Sequence, residues 1–171
     1  SQSFKLIVAT GVPKAMTALS NASAIIAEGE VAQLATLEQR ALISREQYFA
    51  IIRAKTAELF GASCEVGAYI SSTDELSKSL KEFGIVLGKI FQITDDLLDY
   101  FSKSDNVGKN VGDDFYEGKI TLPVILLNDR LSQDNQLKLI EIIQKDVRNS
   151  DELSWLIRML REHNISDEIK S

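Results

Sequence analysis

The sequence has few groups that could staple a fold or catalyse on their own. Cys64 is the only cysteine among 171 residues, which excludes an internal disulfide and points to a reducing compartment. It reads as a small buried hydrophobe, because the single histidine, His163, lies near the other end of the chain and offers no partner for a thiol nucleophile. No apolar run reaches the roughly 20 residues of a membrane span, and neither a signal-peptide nor a lipidation pattern is present. A soluble, cytoplasmic protein is expected. Positive charge has no excess: acidic residues outnumber basic ones, the formal net charge is −6 and no basic aromatic patch occurs, which argues against nucleic acid as a partner. Repeats and low-complexity segments are also missing.

What remains is ordinary globular material, 44% hydrophobic, sufficient for one core over residues 1–171. No strand alternation competes with helical spacing. Residues 4–41 read as helix, interrupted near Gly11–Pro13, with Ala15, Leu19, Ala22 and Ile26 on repeating positions. The small residues Ala22, Ala24, Ala27 and Gly29 permit close packing on another helix, a dimer interface among the options. Glu28, Glu30 and Gln33 line a polar cavity or a solvated face. Ser44 and Gln47 have capping-box spacing, which predicts a helix over 45–60, followed by a short one from about Ser63 to Ile70. Ser72 and Glu75 repeat the capping-box spacing ahead of the next helix. Later helices are expected from Thr121 and Pro123 to about Asn128, from Asp134 to Lys145, and from Asp151 to Glu162, where Trp155, Leu156, Met159 and Leu160 pack and His163 ends the helix.

The stretch Gly84–Tyr100, G-I-V-L-G-K-I-F-Q-I-T-D-D-L-L-D-Y, carries two patterns on one helix. Leu76, Leu80, Phe83, Leu87, Ile90, Thr94, Leu97 and Phe101 form a stripe that reads as core. Gly84, Gly88, Gln92, Asp95 and Asp99 fall within an arc of roughly 80°, with Asp96 just beyond. Carboxylates one turn apart are costly to desolvate without a cation, and a hard cation such as Mg²⁺ takes one or two of them while leaving room for water and phosphate oxygens. The alternative is a solvated acidic face. Glycine costs about 1 kcal/mol in a helix interior, so two on one face ask for a reason, and the expected one is a groove for an apolar group below the metal.

Two further features suggest an anionic ligand. Tyr48, Ile52, Lys55 and Leu59 share a face, so Lys55 occupies a core position: either it snorkels, or, with Thr56 beside it, it points into an anion-binding cavity. From Ser102 to Ile120 the helical pattern stops in a polar stretch too long for an ordinary connection. It carries Lys103, Lys109 and Lys119 among Asp105, Asp113, Asp114 and Glu117. Such a loop can lay ammonium groups and backbone N–H groups over a diphosphate, the alternative being a solvated mobile loop. Its residue order does not fit an EF-hand.

Taken together, K-T-A-E-L-F at 55–60, G-x-x-x-G-x-x-F-Q-I-x-D-D-x-L-D at 84–99 and G-K-N-V-G-D-D-x-x-E-G-K-I-T-L-P at 108–123 closely resemble the trans-type isoprenyl (polyprenyl) diphosphate synthases. The match runs from about Ser20 through Leu127. It implies an all-α helical bundle around a central cavity, and Mg²⁺-dependent ionisation of an allylic diphosphate followed by attack of isopentenyl diphosphate and release of pyrophosphate. By resemblance, Asp95, supported by Asp96 and Asp99, is the second aspartate-rich metal motif. Lys55 and Lys109 contact the allylic diphosphate, Lys119 closes the loop, and Thr56 and Gln92 lie near the reacting carbons. Metal and lysine charge would stabilise the leaving group, and a water-poor cavity would protect the cation.

The family's first aspartate-rich motif, its isopentenyl diphosphate cluster and its length-setting residues have no counterpart here. Both ends of the chain read as cut, so a middle to C-terminal fragment is expected, inactive alone, from a homodimeric long-chain synthase of the kind that makes isoprenoid quinone tails. The alternatives are a short-chain farnesyl or geranylgeranyl diphosphate synthase, a noncatalytic regulatory subunit, and, disfavoured by the D-D-x-x-D form and the lysine loop, a terpene cyclase.

Overall fold

The computed structural model describes residues 2–101 and 111–171. Among these, all regular structure is helical: α1 (Gln2–Thr10), α2 (Pro13–Gln39), α3 (Arg45–Ile52), α4 (Glu58–Ile70), α5 (Ser77–Phe101), α6 (Asp113–Glu117), α7 (Leu122–Arg130), α8 (Gln133–Ile143), α9 (Ser150–Glu162) and α10 (Ile165–Lys170). The expected all-α class is therefore what is found. The chain divides into two compact units, Ser1–Gln33 with Phe49–Gln92, and Leu34–Tyr48 with Ile93–Ser171.

In the first unit, small residues set the helix contacts. α2 buries Ala15, Ala18, Ala22 and Gly29, spaced so that they share one face. A Cβ on Gly29 would stand 2.8 Å from Ala54 Cβ and 2.9 Å from the Lys55 nitrogen, so only glycine lets α2 lie against that backbone. Between α3 and α4 the chain does not break near Ser63 as its sequence suggests; a single π-helical turn, Arg53–Ala57, joins them. The wider turn shifts the face that an even 100° spacing predicts: Tyr48 and Ile52 are buried, but Leu59 is exposed.

α5 overturns its expected core stripe. Leu76, Phe83, Leu87 and Ile90 are exposed, Phe83 by 61%, and of that stripe only Leu97 is buried. The glycine side makes the packing contact instead: a Cβ on Gly84 would lie 2.5 Å from the Phe60 carbonyl oxygen, and one on Gly88 2.6 Å from Ala57 Cα. The two glycines thus serve a tight crossing with the neighbouring helical run, and the expected groove at their position is closed by it. Removing two side chains brings backbones together, which outweighs the lower helix propensity.

The second unit is built on α7, whose residues Leu122–Leu127 are all buried. A helix that is apolar all round belongs inside a core; α7 packs on α9 and α10, and Leu139, Leu156, Leu160 and Ile165 complete the interior. Thr121 occupies the N-cap ahead of the early proline, as its sequence indicates.

Local signals were uneven. The Ser44–Gln47 capping box forms, with Gln47 N–H donating to Ser44 Oγ at 3.2 Å and Ser44 N–H to Gln47 Oε1 at 2.8 Å. The Ser72–Glu75 box does not: Ser72 has a φ of 58°, and a 3₁₀ turn, Asp74–Leu76, leads into α5 without a side-chain cap. α9 has a capping box that its sequence pattern did not single out, Asn149 with Glu152. α6 and α10, of five and six residues, are too short to show a period and were not expected.

Candidate functional site

In the first unit, Lys55 sits on the π turn and is only partly exposed. Its ammonium donates to Gln33 Oε1 at 2.5 Å and lies 3.3 Å from Glu30 Oε1. The close approach at Gly29 brings α2 near enough for both side chains to reach it. The next residue, Thr56, donates its hydroxyl proton to Gln92 Oε1 at 2.7 Å, which leaves the Thr56 oxygen lone pairs for another partner. Lys55 therefore does not simply snorkel, and Thr56 and Gln92, far apart in sequence, form one hydrogen-bonded pair. Glu30 and Gln33 belong to this cluster; their polar spacing was the only sequence sign of it.

In the second unit, the three aspartates of α5 have different surroundings. Asp96 is buried, and its Oδ2 accepts a 2.6 Å hydrogen bond from the Tyr48 hydroxyl. Burial, followed by the Asp96 charge, pushes the Tyr48 phenol well above its ordinary range, so it remains a donor. Asp95 and Asp99 are half-buried. The residue-112 turn and α6 fold over Asp99: Gly112 N–H donates to its backbone carbonyl at 2.9 Å and Asp114 N–H to its Oδ2 at 3.1 Å. Burial and then the charge of Asp114 push the Asp99 carboxyl up to about 6; the Asp114 N–H opposes this, and Asp113 adds further charge.

Lys119 closes this cluster on the other side, with its ammonium 2.8 Å from Asp114 Oδ1 and 2.6 Å from Glu117 Oε2. Burial works against its charge, but the hydrogen bonds and charges of Asp114 and Glu117 outweigh that and hold the ammonium protonated above its ordinary range. Arg148 fixes α6 from below. Its buried guanidinium donates to the Phe115 carbonyl at 2.5 Å and to the Ile142 and Ile143 carbonyls at 3.2 and 2.7 Å, satisfying the C-terminal end of α8. Nothing in the sequence marked Tyr48 or Arg148 for these roles. Lys109, expected to contact a diphosphate, lies outside the described residues.

Among the described residues no three His, Cys, Asp or Glu side chains gather closely enough to enclose an ion. The donor chemistry fits Mg²⁺ in the open manner that ion prefers, with one or two carboxylates and the remaining positions left to water or phosphate. Asp99, whose carboxyl is pushed up to about 6 by burial and then by the charges of Asp114 and Asp113, is a group that a cation would relieve.

A family model described as polyprenyl synthetase matches residues 1–160. The octaprenyl diphosphate synthase of Escherichia coli (strain K12) is 34% identical over 168 residues, covering 91% of this chain and 52% of that protein. Two crystal structures are similar throughout. A polyprenyl synthase from Caulobacter crescentus CB15, complexed with calcium and isoprenyl diphosphate, aligns with a TM-score of 0.88 at 36% identity, over 97% of this chain and 51% of that one. A decaprenyl diphosphate synthase from Rhodobacter capsulatus aligns with a TM-score of 0.85 at 39% identity, over 98% of this chain and 51% of that one. The chain thus spans about half the length of the relatives it matches.

Proposed function

Because this chain belongs to the polyprenyl synthetase family, we propose that it carries part of the machinery of a long-chain trans-polyprenyl diphosphate synthase, which condenses isopentenyl diphosphate with an allylic diphosphate. The observation that carries the reading is the acidic cluster at the end of α5, where Asp99 shares the helix with Asp95 and its Oδ2 accepts the Asp114 N–H at 3.1 Å.

In this proposal Asp95 and Asp99 hold Mg²⁺, and Asp96 supports them from its buried hydrogen bond with Tyr48. When bound, the ion supplies charge that makes the diphosphate a better leaving group. Lys55 exchanges Gln33 and Glu30 for diphosphate oxygens, and Lys119 similarly turns from Asp114 and Glu117; Lys109 is assigned the same task. Thr56, whose proton is given to Gln92, offers lone pairs to the positive charge that develops as the allylic C–O bond breaks. The Gln92 amide holds that hydroxyl in orientation and assists loss of the proton after the new C–C bond forms. A homodimer, a cytoplasmic setting and a product destined for isoprenoid quinone side chains belong to the same proposal. The short-chain alternative is less favoured, since the relatives above are octaprenyl and decaprenyl synthases.

The test is binding of farnesyl diphosphate by this chain, measured by calorimetry with Mg²⁺ and with EDTA. Mg²⁺ should strengthen binding at least tenfold over EDTA, and that Mg²⁺-dependent gain should be lost in Asp95→Ala and in Lys55→Ala. Equal binding in EDTA, untouched by either substitution, would overturn the reading.

A further inference from the structure

Away from the acidic cluster and the Lys55 site, the first unit holds a concave surface of about 420 Å³, between Arg53 on the π turn and the first half of α5. That volume lies within the ~300–1,000 Å³ usual for small-molecule sites. Lys78, Lys81 and Lys89 line it together with Arg53, and Ile85 and Val86 supply an apolar wall. Four cations at one concavity are unusual in a chain whose formal net charge is −6. At ~100° per residue, positions 78, 85 and 89 lie on one side of α5, so the arrangement follows from the helix itself.

The four cations are not equivalent. Lys81 is held in place, its ammonium 3.0 Å from Glu58 Oε1 and 3.2 Å from Glu65 Oε2, with Glu58 buried. Its charge is thereby balanced. Among the described residues Arg53, Lys78 and Lys89 make no ion pair. Glu82, the sole acid in the lining, makes none either; Lys78 precedes it by one turn, the less favourable order for such a pair. Here the positive groups stand open around a pocket that also has an aliphatic wall.

We propose that this pocket binds a phosphate- or diphosphate-headed ligand with a hydrocarbon part. The head lies among Arg53, Lys78 and Lys89, where the Arg53 fork can grip two oxygens and the ammonium groups act as point charges. The hydrocarbon lies on Ile85 and Val86. The site uses none of the aspartates of α5, needs no metal, and stands or falls separately from the function proposed above. Its ligand comes either from solution or from an anionic lipid headgroup.

The experiment uses the full chain in EDTA, so that no metal-dependent binding contributes. Inorganic pyrophosphate is titrated by calorimetry, and vesicles of phosphatidylcholine with and without phosphatidylglycerol are tested by co-sedimentation. Pyrophosphate binding identifies a soluble ligand, and selective sedimentation with phosphatidylglycerol identifies a headgroup. In whichever arm binds, Lys78→Ala with Lys89→Ala should weaken binding at least tenfold, as should Arg53→Gln alone, while Lys170→Ala, at an exposed cation outside the pocket, leaves it unchanged. Far-ultraviolet circular dichroism and an unchanged melting midpoint establish that these surface variants fold. The proposal is overturned by no binding in either arm, or by binding that the double variant and Arg53→Gln retain.

Discussion

The Tyr48 hydroxyl and the Asp96 carboxylate form a buried hydrogen bond of 2.6 Å, linking α3 to the acid-bearing turn of α5. A hydrogen bond to a buried charge contributes more than a neutral one, and removing one partner leaves the other less well satisfied. Tyr48→Phe deletes one oxygen while keeping the ring. It should therefore destabilise the protein by about 2 kcal/mol, a fall in melting midpoint of roughly 4–8 °C. A midpoint within a degree of the wild type would show that the bond contributes nothing net.

The Asp99 carboxyl gives a pH dependence of defined sign. Its folded pKa, about 6, lies above the ordinary aspartate value of 3.8, so the folded state binds the extra proton between those values. Its stability contribution is fully present below about pH 4 and is lost as pH rises through about 6. Asp99→Asn cannot lose it. In metal-free protein the melting midpoint of Asp99→Asn relative to wild type should therefore rise between pH 4 and pH 7, and Mg²⁺ should narrow the gap at pH 7 by stabilising the wild type alone. A gap that does not change with pH would contradict the assignment.

Asp114 gives that result a separate check. Its charge is the second cause of the Asp99 shift, while its backbone N–H works in the opposite direction. Asp114→Asn removes the charge and keeps the N–H, so the Asp99 titration followed by NMR should move down towards the ordinary carboxylate range. Lys119→Gln strips a counter-charge from Asp114 and should move it up. Shifts in the same direction for both variants would rule out the proposed arrangement.

How far the sequence exposed all this depended on whether a residue looked out of place. Lys55 did, as a cation on an apolar face, and its neighbours Thr56 and Gln92 do meet. Lys119 was visible through its polar loop. Tyr48 was not, because a tyrosine in an apolar stripe reads as core, and its hydroxyl partner is 48 residues away. Arg148 was hidden for a similar reason: its acceptors are backbone carbonyls, which leave no side-chain signature. The π turn could not be read from a period that assumes regular turns, and it displaced Leu59 from the expected face. The stripe on α5 was read correctly as apolar but wrongly as buried, since Phe83, Leu87 and Ile90 are exposed among the described residues.

The glycines supply the sharpest test, because two of them should respond with opposite sign. Gly88 and Gly67 both lie inside helices, where alanine is favoured by about 1 kcal/mol on propensity alone. At Gly67 an added Cβ meets nothing within 4 Å, so Gly67→Ala should raise stability by up to about 1 kcal/mol. At Gly88 the same Cβ would lie 2.6 Å from Ala57 Cα and 3.1 Å from Phe60 Cβ. The nearest atom is backbone and cannot rotate away, so the two helical segments must separate. Overpacking of this kind costs about 1–3 kcal/mol and exceeds the propensity gain. Urea unfolding of the two variants decides the matter: a stabilised Gly67→Ala with a destabilised Gly88→Ala supports the tight crossing, whereas two stabilised variants would mean that α5 has room to move and that a groove can open beside Gly88.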